Sequence, residues 1–292
     1  MSILKQVSHR HHYVPRFYLR TWQSLDGKGV WLYARNKGNR ITYNRRSSKS
    51  VGYVEDLYSL KPETKWHVLN HECDAIEKTF FSVIDDAAAL VHQKLISSGI
   101  NALSDKDRLD WALFLNSLLE RSPKRISEME RSFSGEEIKE QYTARWGKSE
   151  ILDDIDFSAV HHNSIRSALA DNISDKAFVN YVANMRWTTV HHSIEGEHFL
   201  TSDTPLLVNG GMEGNRIHLL SIALTPNKLM IIHTDSEEFD EYFLRMLSIF
   251  HNIGIVDSTK KYLISSKELK DGTHTKFTKV VEERFNKSQV YE

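Results

Sequence analysis

Apolar residues recur every three to four positions from Glu72 to about Met185, and on either side of that stretch they recur at every second position. A helix buries one stripe per 3.6 residues and a half-buried strand one face per two, so the change of period calls for helices in the middle and strands at both ends. In the middle, Ile76, Phe80, Ile84, Ala88, Val91 and Leu95 mark one amphipathic helix that Gly99 stops. Ser104 with Asp107, and Ser134 with Glu137, have capping-box spacing. The first opens a helix with Leu109, Ala112, Leu113 and Leu119 on its apolar side, which Pro123 ends or kinks; the second opens a polar helix toward Trp146. Two further helices are expected over 157–172 and 175–184.

Ahead of this block, 30–35 and 40–44 alternate around Asn36-Lys37-Gly38-Asn39 as a β-hairpin, with 52–60 a strand or loop packed on it. Behind it, strands are expected at 186–193, 198–203, 218–224, 228–234, 252–256, 262–266 and 275–281. A helix from Glu237 to Phe250 interrupts them, its buried face formed by Phe239, Phe243, Met246, Leu247 and Phe250. The expected fold is α+β in one domain over 1–292. A basic aromatic β-rich segment (1–70) and a sheet-rich part (185–292) build a mostly antiparallel sheet, and 71–184 is the helical block.

Charge divides along the same line. Residues 1–50 hold 11 Lys and Arg against the single acid Asp26, a balance of +10, whereas 51–292 carry −11 of the chain's net −1. Tyr13, Phe17, Tyr18, Trp22, Trp31, Tyr33 and Tyr43 interleave with those positive charges. Cations with aromatic faces suit a nucleic acid or another polyanion; the same letters also suit a basic segment that docks on the acidic remainder with its aromatics in the core. At 40% apolar and 26% charged residues, with 5 Pro and 13 Gly, disordered and collagen-like classes drop out. One cysteine, Cys73, leaves no internal disulfide and no zinc-finger set. No apolar run spans a bilayer and the N-terminus has no signal-peptide pattern, so the expected location is cytoplasmic, with no membrane partner. Oligomeric state is not encoded in any pattern found.

The densest chemistry lies at residues 9–19, His-Arg-His-His-Tyr-Val-Pro-Arg-Phe-Tyr-Leu. Imidazole moves protons near neutral pH and guanidinium pairs with phosphoryl oxygens, which is enough for metal-independent cleavage of RNA through its 2′-hydroxyl. The structural alternative is a rigid strand, fixed by Pro15, whose aromatics pack inward. Thr201-Ser202-Asp203-Thr204-Pro205 closes an apolar strand, and Asp203 there is either a general base, a metal ligand or a partner for His11 or His12, or else the cap of a turn that Pro205 stiffens. Glu195 and Glu197 stand nearby as further cation ligands. His67 and His71 lack the glutamate that a zinc protease needs directly after the first histidine, and dinucleotide-binding and P-loop glycine patterns are absent.

His11-His-Tyr-Val-Pro-Arg-Phe-Tyr-Leu19 resembles the opening signature of a largely bacterial family, the domain of unknown function four-two-three-eight. Glu55-Asp-Leu-Tyr58, Glu77, Arg121-Ser-Pro123, Phe199-Leu-Thr-Ser-Asp-Thr-Pro205, Leu224-Thr-Pro226 and Asn252 follow its pattern in order, so the resemblance covers residues 8 to 266. Some members are associated with defence against phage, which implies an intracellular toxic effector. The expectation that results is a cytosolic nuclease with His11, His12, Arg16 and Asp203 as catalytic groups and Arg10, Tyr13, Tyr18, Arg20 and Ser202 holding the nucleic acid. A divalent ion, Mg or Mn, is left open as cofactor, as is the choice between RNA and DNA. The alternative is a non-catalytic sensor that binds nucleic acid or a phage component.

Overall fold

The computed structural model describes residues 8–36, 40–64, 73–191, 198–209, 218–234 and 239–269. The first element among the described residues is β1 (Arg10–His12); the chain then turns at Pro15 into the short helix α1 (Arg16–Arg20) and forms the antiparallel pair β2 (Val30–Asn36) and β3 (Arg40–Arg46). This is the hairpin its alternation calls for. The next strand, β4 (Tyr53–Glu55), pairs with β1 instead of packing on the hairpin, with His11 opposite Val54. Gly52 allows that return: at φ +70° its carbonyl takes the N–H groups of Tyr13 and Val14, and a Cβ would meet the Val14 side chain at 3.0 Å.

The helical block follows. Glu77–Phe81 winds as one π-helical turn straight into α2 (Ser82–Ser97). Then come α3 (Asp105–Glu120), α4 (Pro123–Glu130), α5 (Gly135–Trp146), α6 (Glu150–Asp153), α7 (Phe157–Ile173) and α8 (Lys176–Asn184). Both capping boxes form, each with side chain and backbone satisfying one another reciprocally. Pro123 stands at the first position of α4, where its missing N–H costs nothing. On α3 the buried stripe is Trp111, Ala112, Phe114, Leu115 and Leu118; Leu109, expected inside, faces solvent.

Beyond the block lie β5 (Arg186–His191), β6 (Thr201–Ser202), β7 (Leu206–Asn209), β8 (Leu219–Thr225), β9 (Lys228–His233), α9 (Glu241–Ser258) and β10 (Tyr262–Ser265). Among the described residues all strand pairings are antiparallel, in the orders β1-β4, β3-β2-β10-β6 and β5-β9-β8-β7. The middle sheet joins the N-terminal hairpin to C-terminal strands, which confirms an α+β fold drawing on both ends of the chain. The main core likewise runs from Tyr13 through Trp111 to Ile264.

The C-terminal part departs from its sequence pattern in two places. Residues 252–256 are not a strand: α9 continues through them, burying His251, Asn252, Ile255 and Val256. Local β-propensity yields there to tertiary packing, because Gly254 lets the helix lie directly against Leu207, where a Cβ would meet Cδ1 at 2.6 Å. In consequence Phe243 and Phe250, expected in the buried face, are exposed. The strand expected at 275–281 and the hairpin tip 37–39 lie outside the described residues.

Candidate functional site

The alternation of a strand separates the adjacent histidines of β1. Arg10 and His12 face one side and His11 the other, where it is fully buried. On α1, Arg16 and Arg20 are four residues apart and share one face. These four residues, with Lys49 from the turn before β4, form one wall of a cleft of about 500 Å³. Glu77, on the π-helical turn, with Ser82, Asp85, Asp86 and Ala89 on α2, makes the opposite wall, and Pro15 and Phe17 line the space between. π-Helical turns are rare and concentrate at functional sites.

Burial sets the proton affinities of this cleft. It holds His12 near a pKa of about 4, assisted by the positive charge of Arg16, so the ring is neutral at physiological pH. Its Nε2 is buried without a hydrogen-bond partner of good geometry, and so is Nε of Arg16. Burial pushes Glu77 up to about 7, against the pull of Arg121, with Asp85 and Asp74 adding to the rise. Oε2 of Glu77 is also buried and unpartnered. Behind this wall stands Arg121, whose Nη1 donates to Oδ1 of Asp85 at 2.9 Å while Nε and Nη2 lack partners. A cationic wall thus faces a carboxyl that changes charge near neutrality, beside a neutral imidazole.

His11 and Asp203 lie apart from this cleft. The Nε2 of His11 is 2.8 Å from the Ser8 carbonyl, its Nδ1 accepts the Tyr58 N–H at 2.9 Å, and its ring stacks on Tyr58. Both nitrogens are therefore engaged, and burial lowers its pKa. Asp203 accepts the N–H groups of Lys260 and Lys261 at 3.0 and 2.7 Å, capping the turn into β10. Burial raises its pKa to about 6. Ser202 is fully buried and accepts the Thr204 N–H. Tyr13 and Tyr18 are core residues; the Tyr18 hydroxyl reaches Thr201 Oγ1 at 2.8 Å and donates to the Ala223 carbonyl at 2.9 Å. Neither ring is open to a base, since both fill the seam between the N-terminal helix and the C-terminal strands. His12 and Arg16 are the members of the expected catalytic set that meet in the cleft, with Arg10 and Arg20 from the binding set.

Glu77, Asp85 and Lys49 were not among the expected site residues. Glu77 and Arg121 carried one sequence signal, their place in the family pattern, but 44 residues and a helix-to-helix turn separate them, and charged residues in amphipathic helices are ordinarily solvated. Among the described residues no group of three or more His, Cys, Asp or Glu is arranged to hold a metal, and no helix is long and apolar enough to cross a membrane. His67, His71, Glu195 and Glu197 lie outside the described residues.

Fold and cleft together define an antiparallel α+β protein with a two-signed cleft where the basic N-terminal segment meets the first long helix. The chain belongs to the family described as Protein of unknown function (DUF4238), whose model matches residues 10–289 and so takes in every cleft residue except Ser8. No match was found among curated proteins, and none among solved structures.

Proposed function

We propose that this protein is a nuclease that cleaves RNA in the cleft between α1 and α2, acting inside the cell as a toxic effector against phage. The observation that supports this most is the pairing of Arg10, Arg16, Arg20 and Lys49 with a carboxyl, Glu77, whose pKa is about 7. Guanidinium groups bind a phosphodiester and steady the charge that grows on its oxygens. Neutral His12 takes the proton of the ribose 2′-hydroxyl as that oxygen attacks phosphorus. Protonated Glu77 gives its proton to the departing 5′-oxygen, leaving a cyclic phosphate and a free hydroxyl. This reading keeps His12 and Arg16 from the expected catalytic set, replaces Asp203 with Glu77, and gives His11 a structural part.

Binding without cleavage is the second reading. It is favoured by the inward packing of Tyr13 and Tyr18, which removes two of the expected stacking faces from recognition. Incubating the purified protein with labelled RNA, single-stranded DNA and duplex DNA, with divalent metal or with EDTA, separates the two. RNA cleavage that resists EDTA supports the proposed route. Cleavage only of DNA, or only with metal, would replace the proposed chemistry, and binding with no cleavage would establish the sensor.

A further inference from the structure

The unpartnered polar atoms around the cleft are of opposite kinds. Arg16 Nε and, behind the far wall, Arg121 Nε and Nη2 are buried donors, while Glu77 Oε2 is a buried carboxyl oxygen. Hydrogen bonds left unmade by buried groups are costly; Arg16 and Glu77 both line the cleft, so a ligand seated there lies beside one group of each kind, whereas Arg121 does not line it. A tetrahedral oxyanion satisfies both kinds, because its oxygens accept from a guanidinium and also from a carboxyl that carries its proton.

We infer that the cleft between Arg16 and Glu77 is a subsite for one phosphoryl group, and that seating this group drives a proton onto Glu77. The inference rests on reading the cleft as a phosphodiester-cleaving site and adds how that site is armed. Facing Glu77 are Asp85 from α2 and Asp74 from the turn before the helical run; from the end of α3 comes Arg121, and from the loop after β4 comes Tyr58. Across the cleft stand His12, Arg16, Arg10, Arg20 and Lys49, with Asp86 exposed on α2. Arg121, the cation behind Glu77, is shared with Asp85, so it compensates only part of any further negative charge. An anion placed beside a carboxyl already balanced near neutrality tips it to the protonated form. The proton needed by the leaving oxygen, only partly in place near neutrality in the empty cleft, is therefore more fully in place when a phosphoryl group is bound.

Sulfate is the probe, since it is tetrahedral and keeps its double charge through the neutral range. Titration calorimetry at about pH 7.5, in two buffers of different ionisation enthalpy, is expected to show fractional proton uptake on binding. Affinity is expected to fall by up to about tenfold per pH unit above neutrality. Glu77→Gln is expected to bind sulfate with no uptake and a flat pH dependence, and Arg16→Gln to weaken binding at least about tenfold. A wild-type protein that does not bind sulfate, binds it without uptake, or shows uptake that survives in Glu77→Gln overturns the inference. RNA cleavage measured on the same samples separates the two readings: cleavage without linked uptake removes the subsite alone, whereas uptake without cleavage removes the nuclease alone. Displacement of sulfate by a short oligoribonucleotide is expected. Displacement only by a nucleoside monophosphate would overturn the assignment of the phosphoryl group to nucleic acid.

Discussion

Arg121 holds Asp85 at 2.9 Å with its own side chain wholly out of solvent, between the rings of Phe81 and Phe114 at 5.6 and 5.8 Å from the guanidinium carbon. The pair ties the end of α3 to α2 under the cleft. Removing one member of a buried pair strands the other charge, at a cost of about 3–5 kcal/mol. Asp85→Ala is therefore expected to lose at least about 2 kcal/mol in urea unfolding, the lower figure allowing for the partial exposure of Asp85. The double variant Asp85→Leu, Arg121→Met is expected to regain most of it. Equal stability of the single variant and wild type would show that the pair is solvated.

Glu77 predicts a stability trend of its own. Its folded pKa of about 7 lies above the unfolded value near 4.5, so between these values the folded state holds the extra proton. Its contribution is favourable to folding at low pH and is lost as pH rises toward 7. Glu77→Gln is accordingly expected to be more stable than wild type at about pH 8, by on the order of 1–2 kcal/mol after allowance for partial exposure, and near equal at about pH 4. Thermal melts at both pH values read this directly, and a gain of equal size at both would remove the link to ionisation.

The imidazole of His92 acts in the opposite sense. It is buried, with Nε2 2.9 Å from the Leu224 carbonyl and its ring stacked on Trp111, and burial lowers its pKa to about 4. The unfolded state binds a proton from about pH 6.5 downward and the folded state does not, so stability falls as pH drops from 6.5 to 4. His92→Gln is expected to flatten that acid limb by up to about 1.4 kcal/mol per pH unit. An unchanged slope would mean that His92 is not the group being titrated.

His11 and Asp203 are expected to behave as structural residues. Asp203→Ala leaves the Lys260 and Lys261 N–H groups unpaired, and His11→Ala opens a cavity beside Tyr58; each is expected to cost about 2–3 kcal/mol. RNA cleavage per folded molecule, corrected by circular dichroism, is expected to stay within about threefold of wild type for both. A loss on the order of a hundredfold with the fold intact would return either residue to the chemistry.

What the sequence reveals of this molecule depends on how local the physics is. Ser104 with Asp107 and Ser134 with Glu137 act across three residues, and both helix starts are legible. The hairpin is likewise local. Residues 252–256 mislead because Ile253, Ile255 and Val256 favour strands, while the helix they join is decided by Leu207, far off in the chain. The cleft is half legible for the same reason. Arg10, His12, Arg16 and Arg20 fall together by strand and helix period, but Glu77 enters through a π-helical turn and Arg121 through a helix packing, and no spacing announces either. The density of His9, His11 and His12 says that imidazoles are present, whereas only the pairing of β1 with β4 shows which of them is sealed inside.

The central claim is that His12 and Glu77 move protons during RNA cleavage, and the pH profile of kcat/KM tests it most directly. In the wild type a bell with limbs near 4 and 7 is expected, set by a neutral His12 and a protonated Glu77. In Glu77→Gln a fall of about a hundredfold or more and loss of the alkaline limb are expected. Cleavage that keeps its rate and its alkaline limb in Glu77→Gln, or no cleavage of RNA at any pH, would contradict that claim.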